Sequence, residues 1–134
     1  MSEVNISFQI PGLNDLSPLT VPAVPATERI AIEDFARVQL RVGQIMEAEK
    51  IKGSKKLIKM QVDLGFERRQ VVAGIAEGYA PEALLNKKIV LVANLKPAKL
   101  MGVESNGMVV AATANGKPVL ATFDEDVPNG TLLK

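Results

Sequence analysis

From Arg29 onward, short runs of alternating apolar and polar residues are separated by glycines. A period of two marks a strand with one buried face. Val38, Leu40 and Val42 alternate with Arg37, Gln39 and Arg41, predicting a long strand over 37–50. Gly43 interrupts that strand where a barrel wall would bulge or coil. After a basic turn, Lys52-Gly53-Ser54-Lys55-Lys56, the residues Ile58, Met60, Val62 and Leu64 face one way while Lys59, Gln61 and Asp63 face the other. A third strand over 68–75 follows the turn at Gly65, and the wholly apolar run Ile89–Ala93 predicts a fourth, deeply buried one. Residues 108–113 and 118–123 flank Ala114-Asn115-Gly116-Lys117, whose Asn-Gly centre predicts a hairpin. Helix is sparse: one turn at Ile32–Ala36, and a short helix at Pro81–Leu85 with proline in its first turn. The pattern predicts an all-β protein. Five strands, a glycine-interrupted first strand and a short helix between strands 3 and 4 fit the OB-fold, a small five-stranded barrel.

Residues 1–29 break from this texture. They hold four of the eight prolines and no sustained apolar period, which predicts a Pro-rich extended arm, with Phe8, Ile10 and Leu13 able to dock on a surface. The folded domain is expected over 30–134. No basic residue precedes Arg29 and no apolar run nears the roughly 20 residues of a bilayer span, so a cytoplasmic protein without membrane contact is expected.

Composition narrows the chemistry. The 134 residues include no Cys, no His and no Trp, which removes thiol nucleophiles, disulfides, His-based triads and zinc sites built on those ligands. No P-loop or dinucleotide fingerprint is present, since Gly102–Gly107 is not followed by Lys-Ser/Thr. Asp124-Glu125-Asp126 reads as a solvated turn and not as a cation site. We therefore expect no metal, no cofactor and no catalytic residue: a binding module, not an enzyme.

The net charge of +1 hides a bias, because residues 37–70 carry nine basic and four acidic side chains, a local net of +5. If the first three strands form one wall, that wall is positive and suits a polyanion. Single-stranded nucleic acid is held on aromatic rings. Here the rings are Phe8, Phe35, Phe66, Tyr79 and Phe123, of which Phe35 and Phe123 read as core. A folded RNA recognised by shape and backbone fits this count better. The segment Asn94–Met108 is the most particular in the chain: Pro97 sits between Lys96 and Lys99, and Gly102 and Gly107 permit tight turns around Ser105 and Asn106. Leu100 and Met101 read as buried supports of this loop.

The spaced motifs Ile32-Glu33-Asp34-Phe35, Leu40-Arg41-Val42-Gly43, Val62-Asp63-Leu64-Gly65 and Arg69-Gln70-Val71-Val72-Ala73-Gly74-Ile75 resemble a known family. So do Asn94-Leu95-Lys96-Pro97, Lys99-Leu100-Met101-Gly102 and Ser105-Asn106-Gly107-Met108. The family is the tRNA-binding domain, found as a free dimeric protein, at the C-terminus of many bacterial methionyl-tRNA synthetases, and in cytokine-like synthetase cofactors of the EMAP-II type. The resemblance implies an OB-fold with extra N- and C-terminal elements and a homodimer. It also implies non-sequence-specific binding to the outer corner of the tRNA L, in accessory service to aminoacylation. A catalytic methionyl-tRNA synthetase chain is an implied partner. It assigns RNA binding to Arg41, Lys55, Lys56, Lys59, Lys96, Lys99, Ser105, Asn106 and Met108, with Arg37 and Arg69 as second-tier candidates. Two positions depart from the family pattern: Ala73 replaces a usual Ser, and Lys55 a usual Asp. The alternative within the same fold is an export-related, chaperone-like dimer that binds peptides.

Overall fold

A computed structural model describes residues 28–134. The expectations for the proline-rich arm, and for Phe8 within it, lie outside the described residues. Contacts divide the chain after Phe35. On the N-terminal side is the single turn α1 (Ile32–Phe35), with Glu33 and Asp34 at its start, where carboxylates favour exposed amides. Phe35 is 42% exposed, so it is not the core residue its apolar character suggested.

The unit Ala36–Lys134 is built from β1 (Leu40–Lys50), β2 (Ile58–Asp63), β3 (Arg68–Ala73), α2 (Pro81–Leu84) and β4 (Lys88–Val92). There follow β5 (Ala98–Leu100), β6 (Val103–Ser105), β7 (Met108–Val109), β8 (Ala111–Ala114), β9 (Lys117–Leu120) and β10 (Leu132–Leu133). The main sheet runs β3-β2-β1-β4-β7 with antiparallel pairing, and β10 adds to the start of β1. Because β7 comes back against β3, the sheet nearly closes, and the all-β barrel of OB type is what the alternating pattern predicted.

Alternation translates directly into packing. Ile58, Met60 and Val62 of β2 are fully buried, and β4 is buried from Ile89 to Val92. Ile58, Met60, Val62, Ile89 and Leu91 form one core with Ile45, Leu64, Val71, Ile75, Leu84 and Leu120, Leu84 being the contribution of α2. Tyr79 packs against this core, and its hydroxyl accepts the Leu120 amide at 3.0 Å. Ala73, where the family usually has Ser, is buried in the same cluster. A missing hydroxyl there leaves the outer surface unchanged.

Three expectations are corrected. The first strand begins at Leu40, not Arg37: the Arg37 carbonyl and the Gln39 amide are bound instead by the Asn94 side chain at 2.6 and 2.8 Å. The bulge falls between Ile45 and Glu47, not at Gly43, which stays in register opposite Ile89. Gly43 is glycine for want of space, since a Cβ there would lie 2.5 Å from Val62 Cγ1. The run 108–113 splits at Val110, whose amide bonds Val90 while its carbonyl accepts from Ala121, so the chain changes partner from β4 to β9. Asn115 and Gly116, both at positive φ, then make the expected two-residue turn between β8 and β9.

The C-terminal segment straps the barrel shut. Val42 donates to the Thr131 carbonyl at 2.9 Å and accepts from the Gly130 amide at 2.7 Å, and Asn129 donates to Gln44 and to Asp63. Asp63 also accepts the Gly65 amide at 2.9 Å. That amide and then the Asn129 side chain lower its carboxyl below its ordinary value, with the Arg68 charge adding less than desolvation takes away. A depressed folded-state pKa means stabilisation that is complete above the unfolded value and lost as pH falls through the folded one. Asp63→Asn should therefore flatten the acid limb of stability below about pH 4, measured as urea midpoints against pH. Gly130 has φ +88°, and an added Cβ would collide with the Leu64 carbonyl oxygen. Gly130→Ala is expected to lower stability by about 2 kcal/mol or more, read as a lower urea midpoint at unchanged m.

Candidate nucleic-acid interface

The particular segment after β4 is a hairpin carried on the edge of β3. Leu100 pairs with Val103, leaving Met101 and Gly102 as a two-residue turn with φ of +49° and +78°. Positive φ at both central residues is the turn that matches the twist of a hairpin. Leu100 and Met101, expected to be buried, are 37% and 59% exposed, because they form the outer tip of this hairpin and not its base.

Side chains and amides fix the inner strand β6 to β3. The Ser105 hydroxyl accepts the Val72 amide at 2.9 Å and lies 3.1 Å from the Gly107 carbonyl oxygen to which it donates. The Asn106 amide bonds the Gln70 carbonyl at 2.7 Å, and the Gln70 side chain donates to the Glu104 carbonyl at 2.8 Å. Arg69 pairs with Glu67 and donates to the carbonyls of Ala93 and Asn106 at the hairpin root. The outer end of the hairpin then reaches the β1–β2 turn, where a Cβ on Gly53 would lie 3.6 Å from Met101 Cε. Between the two is an open cleft of about 330 Å3 lined by Glu49, Lys50, Ile51, Lys52, Lys59, Met101 and Val103.

The basic turn is itself well defined. Ser54 donates its amide to Ile51 and accepts those of Lys56 and Leu57 on its hydroxyl, which leaves Lys55 and Lys56 exposed. Lys59 on β2 stands 3.9 Å from Glu49. Lys96 and Lys99 are exposed on the approach to the hairpin and on β5, Lys99 opposite Glu104, and neither makes an ion pair with the described residues. Asn106 is half-buried at the root, and Met108, 50% exposed, begins β7 beside Val92.

The structure thus sets the turn that carries Lys55 and Lys56, and the nearby Lys59, against the tip of the hairpin that carries Lys99, with Lys96 and Asn106 at the hairpin root and Met108 beyond it on β7. It does not bring Arg41 there. Arg41 donates to the Gly130 carbonyl at 2.7 Å and lies over the Phe66 ring at 5.4 Å, near the strap. Arg41 and Lys50 lie near opposite ends of β1. Ser105 is 6% exposed and its hydroxyl is held by backbone, so it braces the hairpin. Arg69 is a brace of the same kind, while Arg37 is exposed beside Asn94. The net positive charge of residues 37–70 is interrupted on the wall, where Lys59 faces Glu49 and Arg68 stands opposite Asp63 across the ladder. Unopposed positive charge is most concentrated on the turn, at Lys52, Lys55 and Lys56.

Lys50, Lys52 and Met101 were not among the predicted contacts. The signal for them was present: Met-Gly between Leu100 and Val103 is an X-Gly hairpin, and folding that tip back over β3 carries it toward Lys52. Asp124, Glu125 and Asp126 are exposed, Asp126 paired with Lys88 at 2.8 Å, and the described residues contain no cluster of three metal-ligating side chains.

A barrel with a hairpin stitched to one edge is an OB-type domain, and the comparisons with known proteins say which. The family model described as "Putative tRNA binding domain" matches residues 40–132, and the chain belongs to that tRNA-binding-domain family. It is 56% identical over 104 residues to methionine–tRNA ligase of Archaeoglobus fulgidus, covering 78% of this chain and 16% of the ligase. Against methionine–tRNA ligase of Caldanaerobacter subterraneus it is 57% identical over 102 residues, 76% of this chain and again 16% of the relative. The chain therefore spans about a sixth of the length of these curated relatives. Among solved structures, a MetRS-related protein from Pyrococcus horikoshii matches with TM-score 0.76 and 45% identity, covering 81% of this chain and all of that one. The chaperone CsaA from Bacillus anthracis matches with TM-score 0.73 and 30% identity, covering 80% of this chain and all of that one.

Replacing Ser105 by Ala strips the partner from the buried Val72 amide and is expected to cost about 1–3 kcal/mol. Amide hydrogen exchange should then quicken at Val72 and across β6 more than in β2, separating a brace from a surface contact.

Proposed function

We propose that this domain binds the folded tRNA backbone without reading its sequence, at the outer corner of the L, as an accessory to aminoacylation. The observation that supports this most is the meeting of the basic β1–β2 turn with the lysine-bearing β5–β6 hairpin at one end of the barrel. Lys50, Lys52, Lys55, Lys56, Lys96 and Lys99 lie within reach of a polyanion passing over that end. Each phosphate they neutralise releases condensed counterions. The described rings form no row for stacking bases: Tyr79 is engaged by the Leu120 amide and Phe66 lies beneath Arg41 near the strap. Recognition by shape and phosphate fits this arrangement.

Two further parts belong to the same proposal. The relatives it matches are methionine–tRNA ligases, and a catalytic methionyl-tRNA synthetase is the partner this reading names. The domain acts as a homodimer, in which two RNA surfaces on one particle gain avidity when both engage. The hairpin β8–β9 supports this, because Ala111, Ala112, Ala114 and Val119 are exposed on it and an isolated two-stranded hairpin is stabilised by a covering surface.

Affinity for a tRNA transcript should fall steeply with salt, by tenfold or more between roughly 50 and 200 mM. The double variant Lys96→Ala, Lys99→Ala should weaken binding and reduce the slope of log Kd against log salt by about two, with the thermal midpoint unchanged. An unaltered slope removes the hairpin from the RNA surface. A salt-insensitive protein that instead protects an unfolded polypeptide from aggregation matches the chaperone reading, and a monomer in sedimentation at micromolar concentration ends the dimer.

A further inference from the structure

Only three described non-glycine residues have positive φ: Asn86, Met101 and Asn115. Two are asparagine, the residue that tolerates the left-handed region, and Asn115 occupies the first position of the β8–β9 turn. Met101 occupies the equivalent first position of the β5–β6 turn, where asparagine or glycine would be cheaper. An unbranched apolar side chain at a left-handed position, more than half exposed, is costly on both counts. Residues kept in such conformations cluster at ligand-binding sites.

What Met101 does with its side chain is visible. Its methyl end lies against Gly53, so the thioether spans the gap between hairpin tip and basic turn and walls the cleft. Val103 and Ile51 add apolar lining, and Lys50, Lys52 and Lys59 add positive charge. Glu49 is the single carboxylate in the lining, held only loosely by Lys59 at 3.9 Å. An open cleft with three apolar and three lysine side chains in its lining, and one acceptor, suits one nucleotide: a flat, weakly polar base flanked by phosphates, with N–H groups on its edge. Met is suited to the contact because its polarizable sulfur packs well on π-faces.

We propose that the Met101 cleft receives a single unstacked nucleobase of the bound RNA, with Lys50 and Lys52 on its flanking phosphates and Glu49 accepting from the base edge. The proposal deepens the RNA-binding reading above and rests on it. It adds a contact to an unpaired loop nucleotide that a domain recognising only backbone shape would lack.

Met101→Asn separates use from architecture, because asparagine suits φ +49° and keeps the turn while removing the apolar wall. The wild-type chain and this variant are titrated with a tRNA transcript and with a hairpin RNA carrying either a normal or an abasic loop. The wild type should bind the normal loop about fivefold or more tighter than the abasic one, a base contact of ordinary strength. Met101→Asn should lose that preference, bind both loops alike and keep the salt slope and thermal midpoint of the wild type. Met101→Leu, which restores an apolar wall, should recover most of the preference. Equal binding of normal and abasic loops by the wild type overturns the proposal, as does a preference that survives in Met101→Asn. Either result leaves the tRNA-binding reading standing if tRNA affinity remains salt-dependent. A wild type that binds no RNA overturns both.

Discussion

The hairpin side of this molecule depends on a strand edge that does not end where the barrel ends. β3 closes one side of the main sheet, and its outer edge would present unpaired amides and carbonyls. Such edges are liabilities unless covered. Here Ser105 takes the Val72 amide, Asn106 bonds the Gln70 carbonyl and Gln70 returns a bond to Glu104, so the edge is satisfied by β6. Sealing the edge is also what fixes the β5–β6 hairpin in place, so one set of hydrogen bonds serves both barrel stability and presentation of the lysines.

That arrangement explains why several residues with the chemistry of RNA contacts act inwardly. Ser105, Arg69 and Gln70 are polar, sit in the most particular part of the sequence, and have their donors and acceptors occupied by backbone. Rigid bracing of this kind lets exposed lysines act from defined positions, because the backbone beneath them is held by tertiary bonds and not by the propensity of a three-residue strand. The same economy appears at the strap, where Arg41 bonds Gly130 and covers Phe66. Its charge stabilises the closure of the barrel at a distance from the basic turn.

Charge distribution follows from register. Residues 37–70 carry a net positive charge, but antiparallel pairing sets Lys59 against Glu49 and Asp63 against Arg68, so opposite signs meet across the ladder. Cross-strand pairs of opposite sign stabilise a sheet and like pairs oppose it. The excess lysines are left to the connections, where no ladder partner constrains them. Exposed lysines concentrated in the connections are the consequence.

The sequence by itself determined the strands of the barrel, the helix between β3 and β4, the Asn115-Gly116 hairpin and the family, because alternation of period two and turn chemistry are local properties. Ile58, Met60 and Val62 are apolar for the same reason that they are buried. Only the tertiary structure decided that Ser105 faces inward, that Gly43 is a close approach and not a bulge, that Arg41 stands apart from the lysines, and that Met101 reaches Gly53. Each of those depends on what another strand, distant in sequence, places opposite the residue, and an amino-acid pattern read along one chain carries no information about its partner across the gap.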